Sequence, residues 1–153
     1  MGLMQAEARA DSSAVERGKY LVAVMSCTDC HTDGALIGKP DMEHFLGGSS
    51  IGFEIPGHGF FYGPNLTSDV ETGLGSWSET QIATALTKGV RPDGRELAPV
   101  MPWRSFANLM SSDALAIAAY LKSLPPAKHK VPGPFGVGEK PMAPYLTVVV
   151  PPK

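Results

Sequence analysis

Cys27 and Cys30 are the only cysteines in the chain, and His31 follows the second directly in the stretch CTDCH. Residues of these types at this spacing can do three kinds of chemistry. Thiolates and an imidazole can supply part of a zinc site. Two thiols a helical turn apart can serve as a redox dithiol. They can also each add to a vinyl group of a haem while the adjacent imidazole binds its iron. Zinc in a structural site wants four ligands, usually in two pairs, but the chain has no second cysteine pair and no His-x₃₋₅-His, with His44, His58 and His129 scattered. A redox dithiol wants its motif at the start of a helix after a strand. Here a helical pattern precedes the motif and a glycine-rich segment follows it, which leaves haem attachment as the reading the surroundings support.

The elements that must position this motif can be read from periodicity and caps. Residues 13–26 read as a helix with Val15, Tyr20, Leu21, Val22 and Val24 as its apolar side and Gly18 as a gap in its surface. Residues 34–67 are rich in Gly and Pro and predict short extended pieces and turns. SETQIATALTKG predicts a short helix with a capping box, Ser78 with Gln81, apolar Ile82, Ala85 and Leu86, and Gly89 as its stop. Residues 90–110 return to loop. SSDALAIAAYLKSL predicts a last helix with a Ser cap, Asp113 in its first turn, Leu115, Ala118, Ala119 and Leu121 inward, and Pro125 as its stop.

Composition bounds the function. The chain has 153 residues, enough for one domain, and its seventeen glycines and fourteen prolines predict a loop-rich fold. A net charge of −2 with no Lys/Arg run excludes nucleic acid as a partner. No apolar run is long enough to span a membrane. The expected organisation is an N-terminal remnant or linker over 1–12, the site-bearing domain over 13–126, and a Pro-rich extended tail over 127–153 that lies across the module or reaches a partner. The start, MGLMQAEARADSS, has small-residue patterns of a signal cleavage site without the apolar stretch that would precede one.

With these residues in view, the sequence resembles the class I c-type cytochromes. In that family a helix-one glycine meets an aromatic-Leu pair on the last helix, and Gly18 and Tyr120–Leu121 are the matching residues. GPNLT, residues 63–67, is similar to the loop whose proline carbonyl accepts the hydrogen bond of the ligating histidine, which assigns Pro64 to His31. Over roughly residues 14–126 the blocks LGG, PNLT, ETGLGSWS, RPDG and MP resemble, in order, the cytochrome modules associated with bacterial alcohol, sugar and aldehyde dehydrogenases. Many of those relatives carry three modules and a membrane-anchoring tail. The resemblance implies a mainly α fold, few helices around one covalent haem c, with Cys27 and Cys30 as attachment points and His31 as an iron ligand.

The second axial ligand has to be chosen among seven methionines. Met1 and Met4 are terminal, Met25 is tied to the proximal region, Met42 lies in the early loop, Met142 in the tail, and Met110 reads as core. Met101 sits between Pro99 and Pro102, which restrict the backbone around it, and the family places its ligand at this Met-Pro. A thioether there raises the reduction potential. Asn65, Trp77 and Arg91 are expected at the haem edge or its propionates, Arg91 with a solvated turn and Trp77 with plain core as the competing readings; Met142, His44 and His58 are the alternative distal ligands, the two histidines reading more simply as exposed loop residues. Trp103 either packs on the distal face or faces a partner.

The expected function is a monohaem cytochrome that takes single electrons from a periplasmic dehydrogenase and passes them to another cytochrome or a terminal oxidase, as a monomer or in transient complexes. It is expected to be an electron carrier rather than an enzyme, exported from the cytoplasm. The competing function is a haem protein with an open or labile distal site, binding small ligands or reacting with peroxide, with Arg104 the polar group nearest Met101 in sequence.

Overall fold

Helix α1, Gly2–Val24, and helix α5, Ser111–Ser123, make the most extensive contact between elements, and the reason lies in one residue. A Cβ on Gly18 would stand 1.9 Å from the carbonyl oxygen of Ala116 and 2.8 Å from the Cβ of Tyr120, so the two helix backbones touch there. Beside this crossing Arg17 donates from Nε and Nη2 to the two carboxylate oxygens of Asp113 at 2.9 and 3.0 Å, a bidentate pair that fixes the rotation of one helix against the other.

The chain between them supplies the remaining elements of this computed structural model, which describes residues 2–152, with side chains from Ser12 onward. Helix α2, Cys27–His31, follows α1 after a turn in which Ser26 takes a left-handed conformation at φ 55°. A 3-10 turn, Ala35–Ile37, and the hairpin of β1, Gly52–Ile55, with β2, Gly59–Tyr62, occupy the segment expected to be short extended pieces and turns. Helix α3, Glu79–Lys88, has the expected capping box, with Gln81 N–H bound to Ser78 Oγ and Ser78 N–H to Gln81 Oε1, buried Ile82, Ala85 and Leu86, and Gly89 as its left-handed cap. Helix α4, Trp103–Phe106, is a single turn inside the region expected to be loop. The fold is thus mainly helical, with a three-stranded sheet ordered β2-β1-β3 in which β3, Tyr145–Leu146, runs parallel to β1.

Leu21, Val22, Leu46, Leu74, Ile82, Leu86, Ile117, Ala118 and Leu121 form the core. Three sequence expectations shift here by part of a helical turn. Tyr20 and Val24 are each 57% exposed, because the stripe that meets α5 runs through 18, 21, 22 and 25, and positions 20 and 24 share a neighbouring stripe. Leu115 is 41% exposed, since the buried stripe of α5 runs 114, 117, 118, 121. The expected Ser cap of α5 is absent: Met110 holds the N-cap position without a side-chain bond, and Asp113 turns to Arg17 instead. α1 also begins at Gly2, upstream of the expected start at 13, through a stretch rich in good helix formers.

The tail lies extended across the module. Phe60 and Phe135 exchange backbone hydrogen bonds at 2.8 and 3.1 Å, the Tyr62 hydroxyl donates to Ala143 O, and the Thr147 hydroxyl donates to Glu54 Oε2. Among the described residues no helix is long and apolar enough to cross a membrane.

Two outcomes follow from the α1–α5 contact. Gly18→Ala pushes the helix backbones apart and lowers the unfolding free energy, measured by denaturant titration, by about 1–3 kcal/mol. Arg17 holds the Asp113 carboxyl below its ordinary range, so the stability it adds is complete above about pH 3.9, the unfolded value, and is lost as pH falls through the lower folded value. The stability gap between Asp113→Asn and the unaltered chain therefore shrinks on going from pH 7 to about pH 3.

Candidate functional site

Helix α2 presents Cys27, Cys30 and His31 at i, i+3 and i+4, which places all three on one face. His31 is 6% exposed, and its Nδ1 lies 2.9 Å from the carbonyl oxygen of Pro64. A carbonyl only accepts, so Nδ1 carries the proton and Nε2 keeps its lone pair for a metal. Burial lowers the His31 pKa against the opposing pull of the Pro64 carbonyl, so the ring is neutral, the form that ligates.

The backbone around this imidazole is held from several sides. Gly48 N–H donates to His31 O at 2.8 Å, Leu46 N–H to the Thr32 hydroxyl at 3.0 Å, and Ser49 N–H to Gly63 O at 2.9 Å. Gly63 lies against the motif itself: a Cβ there would stand 1.7 Å from Cys30 O. The glycine is what lets Pro64 come within reach of the ring. Sequence reasoning passes over Gly63, Gly48 and Thr32, although a glycine directly before the proline of GPN is a readable sign of a close approach.

Asn65, expected at the haem edge, has a different task. Its Nδ2 donates to Thr72 Oγ1 at 3.0 Å and Ala127 O at 2.6 Å, and its Oδ1 accepts from the Thr67 N–H and hydroxyl. Both donors and the acceptor are committed within the protein, so Asn65 is a fully buried latch between the proximal loop and the tail.

Trp77 and Arg91 are brought together. The Arg91 guanidinium lies 5.1 Å from the centre of the Trp77 ring and 3.4 Å from Asp93, and Trp77 packs on the core. Met101 is half-buried and rests on the same core cluster as Cys27 and Trp77. Of the other methionines, Met25 also packs there, while Met42 and Met142 are exposed. Met110 corrects an expectation: it is 63% exposed, because the extended backbone of the α5 N-cap position turns its side chain away from the core. Met1 lies outside the described residues, as does the side chain of Met4. His44, bonded to Asp41 at 2.7 Å, and His58, bonded to Pro56 O at 3.1 Å, are exposed loop residues as expected.

The donor set separates the three chemistries. Among the described residues no group of three or more His, Cys, Asp or Glu could hold a metal ion, so the ligands of a structural zinc site are not assembled. Burial pushes the Cys27 thiol up to about 11 and Cys30 in the same direction, the reverse of what a nucleophilic dithiol requires. Both thiols are free. Two free thiols and a neutral imidazole with Nδ1 committed, on one face of α2, fit a covalently attached haem.

A family model described as cytochrome c matches residues 15–125. The chain is 36% identical over 121 residues to a subunit of the nicotinate dehydrogenase of Pseudomonas putida, covering 79% of this chain and 9% of that protein. It is 37% identical over 111 residues to the cytochrome c subunit of the quinone alcohol dehydrogenase of Gluconobacter oxydans, covering 72% of this chain and 21% of that protein. The fructose dehydrogenase cytochrome subunit of Gluconobacter japonicus is 30% identical over 136 residues, with 85% of this chain and 26% of that protein covered. The chain thus spans between 9% and 26% of the length of these relatives.

Gly63→Ala tests the geometry around the imidazole. The added methyl drives the loop off Cys30 and weakens the bond from Nδ1–H to Pro64, so an imidazole holding iron would donate less to it and the ferric state would lose more than the ferrous. The reduction potential of the haem-loaded variant, measured by spectroelectrochemistry, rises relative to the unaltered protein.

Proposed function

The chain belongs to the cytochrome c family, and we propose that it is a monohaem electron carrier that accepts single electrons from a periplasmic dehydrogenase and delivers them to another cytochrome or a terminal oxidase. Haem c supplies a one-electron ferric/ferrous couple when bound. Cys27 and Cys30 would hold it through thioethers, each sulfur bonded to one vinyl carbon with the thiol hydrogen placed on the other. His31 offers Nε2 to the iron, with its ring orientation set by Pro64. Met101 offers its thioether from the distal loop. With His31 and Met101 both holding the iron, no position would be left for a substrate to coordinate, and electron exchange would be the chemistry the group supplies.

The observation that carries this reading is the His31 imidazole with Nδ1 bound to Pro64 and Nε2 free, on the face that also bears both thiols. One such motif in the chain supports one haem. The Arg91–Trp77 pair supplies a partly buried positive charge suited to a propionate. The dehydrogenase donor is supported by the relatives, which are named as dehydrogenase subunits.

The test is the near-infrared charge-transfer band of the oxidised holoprotein, which reports methionine sulfur on ferric iron. The unaltered protein shows the band, and Met101→Ala loses it while the haem stays covalently bound under denaturing conditions. Absence of the band together with ready carbon monoxide binding by the ferrous protein would identify an open distal site and overturn the carrier reading.

A further inference from the structure

We infer that Trp103, seated on Gly89, is the positioning residue that holds Met101 in place on the distal side; the inference rests on the axial reading above. Residues 97–103 carry Met101 through a segment with exposed Pro99, Val100 and Pro102. Both ends of this segment are fixed to the same residue. At its start, Leu97 N–H donates to Gly89 O at 2.8 Å. At its end, the Trp103 indole lies directly on Gly89, where a Cβ would stand 2.4 Å from ring atoms Cδ2 and Cε2.

Gly89 is a firm seat. It is the left-handed cap of α3, at φ 70° with its N–H on Ala85 O, and α3 is anchored in the core by Ile82, Ala85 and Leu86. Between the two ends, Met101 N–H donates to Ala98 O at 3.0 Å and Trp103 N–H to Met101 O at 2.8 Å, so a displacement of the indole is transmitted to Met101 across a single proline. Arg104 adds its guanidinium over the indole, 4.4 Å from the ring centre. The indole Nε1 is buried with no hydrogen-bond partner among the described residues.

The clamp matters because a thioether is a soft, neutral ligand for ferric iron, and its occupancy depends on how closely the protein confines it. An added ligand that competes with Met101 binds with an apparent affinity scaled by the fraction of molecules in which Met101 is off the iron.

The experiment is a titration of the ferric holoprotein with imidazole, followed in the visible spectrum and by loss of the near-infrared band. Trp103→Ala and Trp103→Leu, the second keeping apolar volume if the first folds poorly, bind imidazole about tenfold more tightly than the unaltered protein or better. Trp103→Phe, which keeps a ring on Gly89, stays within about twofold. Arg17→Ala, which breaks the remote α1–α5 ion pair and lowers thermal stability, leaves the imidazole affinity unchanged, so the effect is not one of general destabilisation. Unaltered imidazole affinity in both Trp103→Ala and Trp103→Leu, or an equal rise in Arg17→Ala, overturns the clamp. If Met101→Ala loses the band while both Trp103 variants behave as the unaltered protein, the clamp alone is wrong. If Met101→Ala keeps the band, the axial reading fails and the clamp with it.

Discussion

The hydrogen bond from His31 Nδ1–H to the Pro64 carbonyl is the constraint around which the proximal half of the molecule is arranged. It does two things at once: it selects the tautomer with a free Nε2, and it fixes the plane of the ring. Neither follows from the CTDCH motif alone, because α2 is only five residues long and cannot orient an imidazole by itself. The loop has to come to the helix, and it can do so only because residue 63 has no side chain. That loop is in turn pinned by Ser49, by Asn65 through Thr67 and Thr72, and by the tail at Ala127. The tail is thus a brace for His31: a second contact, His129 Nδ1 to Gly47 O at 2.9 Å, meets the segment whose neighbour Gly48 bonds His31 O.

The same device recurs wherever elements must come close. Gly18 lets α1 touch α5, Gly63 lets the proximal loop touch α2, and Gly89 lets Trp103 sit on the end of α3. The physical reason is the modest size of the core, built from Leu, Ile, Val and Ala, with a large share of the chain in irregular segments. A haem adds a broad apolar surface to such a core. Its flanking elements must then hold one another through backbone contacts and polar latches, since side-chain volume is scarce.

Legibility in the sequence tracks how local each interaction is. The α3 capping box lies within four residues and is readable in full, down to the buried Ile82, Ala85 and Leu86. The CTDCH motif is equally local. Tyr20, Val24 and Leu115 read as inward because apolar type alone does not tell adjacent stripes of a helix apart; the stripe is chosen by the partner helix, here through Gly18. Met110 reads as core by composition, but its exposure is decided by the backbone of the α5 start. Asn65 reads as a haem-edge residue because two of its partners, Ala127 and His129, come from the distant tail. The placement of Trp103 stays open in the sequence for the same cause, its seat being fourteen residues upstream across a loop.

These differences leave the two sides of the site unequally constrained. His31 is fixed at its ring by Pro64, at its carbonyl by Gly48 and through the next residue by the Thr32–Leu46 bond, each from a segment that is itself cross-braced. Met101 hangs between turns, with two prolines limiting its backbone and one aromatic contact carrying the end of its loop. Displacing the Met101 loop is therefore less costly than displacing the surroundings of His31, because fewer fixed partners hold it. An iron held by both residues, as proposed, would be confined firmly by His31 and loosely by Met101, so the Met101 side would set how readily a competing ligand could intrude.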